Sequence, residues 1–454
     1  MSKSRQVAES IQSAIEEGRL APGTKLASIR EAALQHGVSK NTIVDAYDQL
    51  VALGRLKARH GAGFFVVKPP SLETAEKTVD LREAIDSVSL LREQLEGKFK
   101  VRAGDGRAPA SWMGGEALSR QIKRLNATGE DDIEYGAPQG YPPLRETIAM
   151  VLAGRSIHTS HDQILLTFGA NHAFDLLIRH FVAPGDRVLV ETPGYYPLFG
   201  KLRLAQAKLV GVSRHREGLD IDDLERKIKH YRPRLFFLQP NAHNPTGTTL
   251  SLYQMHRLLS LAERYGLVLI EDDAFGDLLP RGNAHLAALD GLNRVIYVGT
   301  FSKTLSTGLR SGYLAGSNAL VSALTDIKML TVVNTSTFNE RLIHDMISRG
   351  RYRRHLVQLR ERITKASASA TIALKEAGVK HIEGPNGGYY LWAQLPNTVN
   401  TLKLARKASD EGIFIAPGSI FSLRPDGPDA SAMRIHIAYA NDYRFLSFLA
   451  RHLK

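Results

Sequence analysis

The stretch "VGTFSKTLSTGLRSGYL", residues 298–314, sets one lysine, Lys303, among hydroxyls and glycines, with Arg310 further along. A lysine amine held in a partly desolvated place forms Schiff bases with carbonyl compounds, while hydroxyls and an arginine suit a phosphate monoester. Thr300 and Ser302 supply those hydroxyls. A lone Ser-Lys pair is ordinary surface chemistry, so the rest of the chain must supply the other groups. "QPNAHNPTG" fixes Asn244 in a Pro-flanked turn, and "LVLIED" brings Asp272 to the end of an apolar run. A buried carboxylate there needs a partner, for which a pyridinium nitrogen is one candidate. "ILLTFGAN" puts Gly169, Ala170 and Asn171 where a strand gives way to a helix, whose first N–H groups cradle an anion. Alone, that last feature is a plain strand-to-helix turn.

The elements that must position these groups follow from the apolar runs. "QILLTF", "RVLVE", "RLFFL", "LVLIE" and "RVIYV" read as strands, with amphipathic helical stretches between several of them. That alternation predicts an α/β domain with a mainly parallel central sheet and crossover helices. Ligands in such sheets bind beyond the carboxyl ends of the strands, and each candidate group follows a different strand. Near the chain's end, "GGYYLWAQL", "GIFIAPG" and "MRIHIAYA" predict a smaller α+β lobe.

The first sixty-eight residues have a different character. Val7, Ile11 and Ile15 recur at helical spacing before Gly18 and Pro22-Gly23 break the helix. "SIREAALQHG" predicts a short helix that stops at Gly37. In "VSKNTIVDAYDQLVALG", Ser39 is placed to cap a helix whose stripe is Ile43, Tyr47, Leu50 and Leu53. Two helices joined by a glycine turn, followed by a hairpin around Arg59, His60, Gly61, Ala62 and Gly63, make a winged helix-turn-helix. In such a unit the start of the second helix enters the major groove. Ser39, Lys40, Asn41 and Thr42 would then meet bases and phosphates, with Arg30 and the wing tip beside them. A helical protein-interaction module is the other reading of the same pattern.

At 454 residues and 43% hydrophobic content, the chain is large enough for two folded units. The boundaries predicted are 1–68 for the winged helix, 69–100 for a charged, proline-punctuated linker with a helix over about 80–97, and 101–454 for the α/β unit. No run has signal-peptide or transmembrane character, so the expectation is a soluble, cytoplasmic protein without a membrane partner. The absence of cysteine excludes disulfides and thiolate metal sites, and the sixteen histidines show no paired metal-ligand spacing. The net charge of +13 is not concentrated in the first unit: residues 1–68 carry ten Lys/Arg against six Asp/Glu. DNA binding is therefore argued from the motif rather than from the charge.

"GRLAPGTKLASIREAALQHGVSKNTIVDAYDQLVALGRLKARHGAGFFV" resembles the winged helix-turn-helix of GntR-type transcription regulators. The resemblance assigns DNA contacts to Arg30, Ser39, Lys40, Asn41, Thr42 and Gly61, with His60 beside them. Ala27 stands where that family usually has proline. From residue 101 onward, the "NPTG" and "SKTLSTGLRSGY" segments resemble fold type I pyridoxal phosphate enzymes of the aspartate-aminotransferase kind. This likeness implies pyridoxal 5'-phosphate as cofactor, joined to Lys303, with Asp272 on its ring nitrogen, Asn244 on its phenolic oxygen and Tyr195 stacked on the ring. Gly169, Ala170, Asn171, Thr300, Ser302 and Arg310 would surround the phosphate. It further implies a homodimer in which Tyr135, from "YGAPQGYPPLRETI", reaches the neighbour's phosphate. Arg434, from "MRIHIAYA", would clamp a substrate carboxylate. Phe275 departs from the pattern, since aminotransferases usually offer a tyrosine hydroxyl there.

The fusion as a whole resembles the MocR subfamily of GntR regulators. It implies a DNA-binding regulator that senses an amine or amino acid by aldimine exchange at Lys303. An active aminotransferase carrying a DNA-binding appendage is the alternative, and a sensor of the cofactor itself is a third reading.

Overall fold

The computed structural model describes residues 3–59, 62–67, 90–127, 134–280, 282–384 and 387–453. The chain divides into two compact units, Met1–Thr78 and Val79–Lys454.

The first unit contains α1 (Lys3–Glu16), α2 (Ile29–His36), α3 (Lys40–Ala52) and the antiparallel hairpin β1 (Leu56–Arg59) and β2 (Gly63–Val66). Ser28 and Glu31 cap α2 reciprocally, satisfying backbone donors that a helix start leaves unpaired. Gly37 ends that helix in the left-handed conformation at φ 61°, which a side chain would resist. Ser39 caps α3 by accepting from the Thr42 N–H at 3.2 Å. Val7, Ala8 and Ile11 of α1 pack with Ile43, Ala46, Tyr47 and Leu50 of α3 and with Leu56 and Val66 of the hairpin. The Tyr47 hydroxyl donates to the Ala27 carbonyl at 3.0 Å, tying α3 to the segment where the expected proline is missing. One stripe residue is corrected: Leu53 lies past the last turn of α3 and is 64% exposed, while Ala46 takes its place in the core.

The second unit is built on an eight-stranded sheet. Its strands are β3 (Ile164–Thr167), β4 (Arg187–Thr192), β5 (Lys208–His215), β6 (Gly218–Leu219), β7 (Leu235–Leu238), β8 (Val268–Asp273), β9 (Val295–Thr300) and β10 (Gly312–Ala315), in spatial order β3-β10-β9-β8-β7-β4-β5-β6. The five strands from β9 to β5 run parallel, β10 is antiparallel to both neighbours, and β6 is antiparallel to β5. Strands β3, β7 and β9 are buried at every residue, which is why they read as continuous apolar runs rather than alternating ones. A four-stranded antiparallel sheet forms the smaller lobe, in the order β11 (His381–Glu383), β12 (Tyr390–Gln394), β14 (Ala432–His436) and β13 (Ala416–Pro417).

Residues 90–96 are helical, and Leu90 is buried in this unit's core; the rest of the helix expected over 80–97, apart from residue 97 just past its end, lies outside the described residues.

Candidate functional site

The carboxyl ends of β3, β7, β8 and β9 open onto a cleft of about 450 Å³. Its walls include Ala170, Asn171, Tyr195, Asn244, Asp272 and Lys303.

Lys303 follows β9 by three residues. Its Nζ donates to the Gly106 carbonyl at 2.6 Å and lies 3.4 Å from the Tyr390 hydroxyl. The turn that carries it is braced from behind: Tyr389 donates its hydroxyl to the Lys303 carbonyl, Tyr352 binds Thr304 Oγ1 at 2.6 Å, and His355 Nε2 meets the Thr304 carbonyl at 2.7 Å. A side chain whose backbone is fixed on three sides presents its amine in one place.

Asp272 sits near the end of β8. Its Oδ1 is buried without a hydrogen-bond partner among the described residues. Burial, seconded by the Asp273 carboxylate, pushes its pKa up to about 7, against the opposing pull of Lys303. Such a carboxylate is fitted to a cationic donor, and the protonated ring nitrogen of a pyridoxal cofactor is one.

A candidate anion site is assembled from two elements. Gly169, at φ 79°, precedes the helix Ala170–Phe181, and a Cβ on it would stand 3.3 Å from Nη2 of Arg310. The early N–H groups of Ala170 and Asn171 have no intrahelical partner by construction. Ser302 Oγ is buried and lacks a partner among the described residues, while Thr300 Oγ1 accepts from the Ser302 N–H at 3.2 Å. Arg310 adopts φ 47°, and its guanidinium donates to the Phe168 carbonyl at 3.1 Å. An unpartnered hydroxyl, helix-start donors and a guanidinium make a chemically apt set for a phosphate dianion.

Asn244 accepts from Nη1 of Arg434 at 2.9 Å through Oδ1, leaving its amide N–H groups for a ligand. Arg434, on β14, is 2% exposed, donates from Nη2 to the Gly104 carbonyl at 2.9 Å, and lies between the rings of Tyr390 and Phe421 at 4.5 and 4.9 Å. Its Nε has no partner among the described residues. Tyr195 donates to Asn171 Oδ1 at 3.4 Å, and its phenol is pushed up by burial. Behind the turn holding Asn244, Glu191, Arg214 and His243 are buried together; burial would raise Glu191, but the guanidinium beside it wins and holds it at about 2.

Tyr135 is 83% exposed and is not part of the cleft wall within one chain. In the first unit, Arg30, Lys40 and Asn41 are exposed. Ser39 Oγ and Thr42 Oγ1 lie 2.7 Å apart and are engaged in capping, which leaves Lys40 and Asn41 as the outward pair at the start of α3. His60 and Gly61 lie outside the described residues.

Several cleft residues escaped the sequence reading. In the sequence Tyr390 reads only as part of a strand, although a doubled tyrosine after paired glycines is a usable signal. Leu91, Gln94 and Leu95 come from the segment assigned to the linker, yet they line the cleft. Gln94 Nε2 donates to Asp105 Oδ1 at 2.8 Å, and Arg107 Nη2 donates to the Gln94 carbonyl at 2.7 Å.

A winged helix-turn-helix unit and a separate α/β unit with a lysine-centred cofactor cleft define a class: a DNA-binding head joined to an aminotransferase-type fold. Residues 113–444 match the aminotransferase class I and II family, and residues 3–66 match the gntR family of bacterial regulatory proteins. The chain is 30% identical over 451 residues to the uncharacterized HTH-type transcriptional regulator YisV of Bacillus subtilis, covering 96% of this chain and 92% of that one. It is 29% identical over 428 residues to the probable rhizopine catabolism regulatory protein MocR of Rhizobium meliloti, covering 91% and 86%. Among solved structures it is similar to LysN, the alpha-aminoadipate aminotransferase of Thermus thermophilus complexed with N-(5'-phosphopyridoxyl)-L-leucine. That match has 28% identity and a TM-score of 0.74, over 82% of this chain and 96% of that one. The chain belongs to the aminotransferase class I and II family and carries a GntR head, the combination of the MocR subfamily, and its cofactor is pyridoxal 5'-phosphate.

Proposed function

We propose that this protein is a pyridoxal phosphate-dependent transcription regulator whose DNA binding responds to an amine or amino acid that takes the place of Lys303 on the cofactor's aldehyde carbon. The cofactor supplies that carbon and a ring that withdraws electrons from it. The chain's own residues do the rest. Asp272 holds the ring nitrogen's proton, Ser302, Thr300, Arg310 and the start of the Ala170–Phe181 helix bind phosphate, Asn244 donates to the phenolic oxygen, and Tyr195 covers the ring. Arg434 takes the ligand's carboxylate. Tyr135 serves the partner subunit's phosphate in a homodimer, and Arg30, Ser39, Lys40, Asn41, Thr42, His60 and Gly61 contact operator DNA.

The observation that carries this reading is the cleft wall itself: Lys303 and Arg434 share it with Leu91, Gln94 and Leu95, which belong to the stretch of chain leading from the DNA-binding head. A ligand in the cleft would therefore lie against a wall that includes that stretch. It can shift the protein between two conformations only by binding one of them more tightly.

The test is an absorbance titration of cofactor-loaded protein with a panel of amino acids and amines, with oxo-acid product assayed alongside and Lys303→Ala as control. A lasting spectral change without turnover supports the sensor. The second reading, a working aminotransferase, is favoured by the complete set of Lys303, Asp272 and Arg434, and repeated turnover would establish it.

A further inference from the structure

We propose that Tyr390 contacts the cofactor and supplies the hydroxyl that Phe275 lacks, so that it sets the pH at which the Lys303–cofactor linkage loses its proton; this rests on the Lys303 reading above.

Phe275 is 1% exposed and turns its ring edge-on to Tyr389 and Tyr390, with centroids 5.3 and 5.6 Å away. It occupies the wall of the cleft but has nothing to donate. Of the two tyrosines, Tyr389 gives its hydroxyl to the Lys303 carbonyl, facing away from the amine. Tyr390 faces it: its hydroxyl is 3.4 Å from Lys303 Nζ and donates to the Gly106 carbonyl at 2.9 Å.

The ring of Tyr390 cannot swing freely. It is 1% exposed, lies under the Arg434 guanidinium at 4.5 Å, and opens β12 in register with His436 of β14. A phenol fixed this way delivers its hydroxyl to one spot.

Pyridoxal phosphate bears its phenolic oxygen on the ring carbon next to the one that carries the aldehyde. With Lys303 Nζ bonded to that aldehyde carbon, nitrogen and phenolic oxygen would be neighbours, so a hydroxyl beside the amine would be placed to donate to that oxygen. Donation to the oxygen favours its anionic form, so the linkage releases its proton at lower pH. The single acceptor now shared by Lys303 and Tyr390, the Gly106 carbonyl, holds both groups together beforehand.

The experiment uses the full chain loaded with pyridoxal phosphate. The lysine adduct is located by borohydride reduction and peptide mapping, and the absorbance midpoint is followed against pH. Tyr390→Phe is expected to raise the midpoint by about one pH unit. Adding Phe275→Tyr to that variant is expected to bring it back toward the parent value, a rescue that a purely structural role would not give. With the adduct mapped to Lys303, a midpoint that stays put or falls in Tyr390→Phe overturns the inference alone. An adduct that does not map to Lys303 overturns the Lys303 reading and this inference with it.

Discussion

Nη1 of Arg434 donates to Oδ1 of Asn244 at 2.9 Å, joining the residue proposed to take a ligand's carboxylate to the residue proposed to face the cofactor's phenolic oxygen. The bond uses the Asn244 side-chain oxygen as acceptor and so leaves its amide N–H groups as donors, and Arg434 keeps N–H groups of its own unspent.

Arg434→Lys keeps the positive charge and loses the two-pronged geometry. Affinity for amino acids should fall roughly 10- to 100-fold, while affinity for the matching amines without a carboxylate stays within about 3-fold. Absorbance titrations of such ligand pairs measure this, and an equal loss for both members of a pair would remove the carboxylate role.

Asp272 gives a pH dependence with a definite sign. Its pKa in the folded protein is raised to about 7 by burial, above its ordinary 3.8, so the folded chain binds this proton more tightly than the unfolded one. The stability it contributes is complete below the ordinary value and is lost as pH rises through about 7, amounting to at most about 4 kcal/mol. Melting of cofactor-free protein between pH 5 and 8, set against Asp272→Asn under the same conditions, should show a decline in the parent that the variant lacks. Loading the cofactor should flatten the parent's curve, because the ring N–H supplies the missing partner.

Gln94 and Asp105 test the attachment of the 90–96 helix. Burial pushes Asp105 up, but the Arg107 and Arg102 guanidiniums prevail and hold it below the usual carboxylate range, so it accepts from Gln94 as an anion. Removing that bond with Gln94→Ala should speed amide exchange in residues 90–96 by about 10- to 100-fold. Cofactor loading at Lys303 should survive. Unchanged exchange would mean that Leu90 and the arginine bonds to the Gln94 backbone carbonyl suffice to anchor the helix.

In the head, two neighbouring substitutions should part company. Ser39→Ala removes the α3 cap and should lower the head's stability by about 1 kcal/mol. Lys40→Ala should leave folding intact but weaken binding to all duplex sequences and reduce the salt dependence by about one phosphate contact. Melting and salt-dependent DNA titration of the full chain separate the two.

Much of this architecture was legible because it is local. The cap at Ser39, the stop at Gly37 and the buried strands β7 and β9 are each written in a few adjacent residues. Leu53 misled because the stripe continues in sequence after the helix has ended. Asn244 and Arg434 were recognisable singly, but their bond joins residues on different lobes, and no spacing rule connects them. The doubled tyrosine after two glycines marks Tyr390, but an aromatic in a strand reads as packing, and only the fold reveals that its hydroxyl meets an amine. Gln94 was hidden by its charged, linker-like surroundings.

The bond from Arg434 to the Gly104 carbonyl spans 330 residues. The head, by contrast, closes its core among residues 7–66. Domains fold as units while a chain is being made, the N-terminal one first. On a ribosome, the head is therefore complete long before Arg434 has been added, and each new molecule passes through a period in which it has a finished winged helix-turn-helix but no finished cleft.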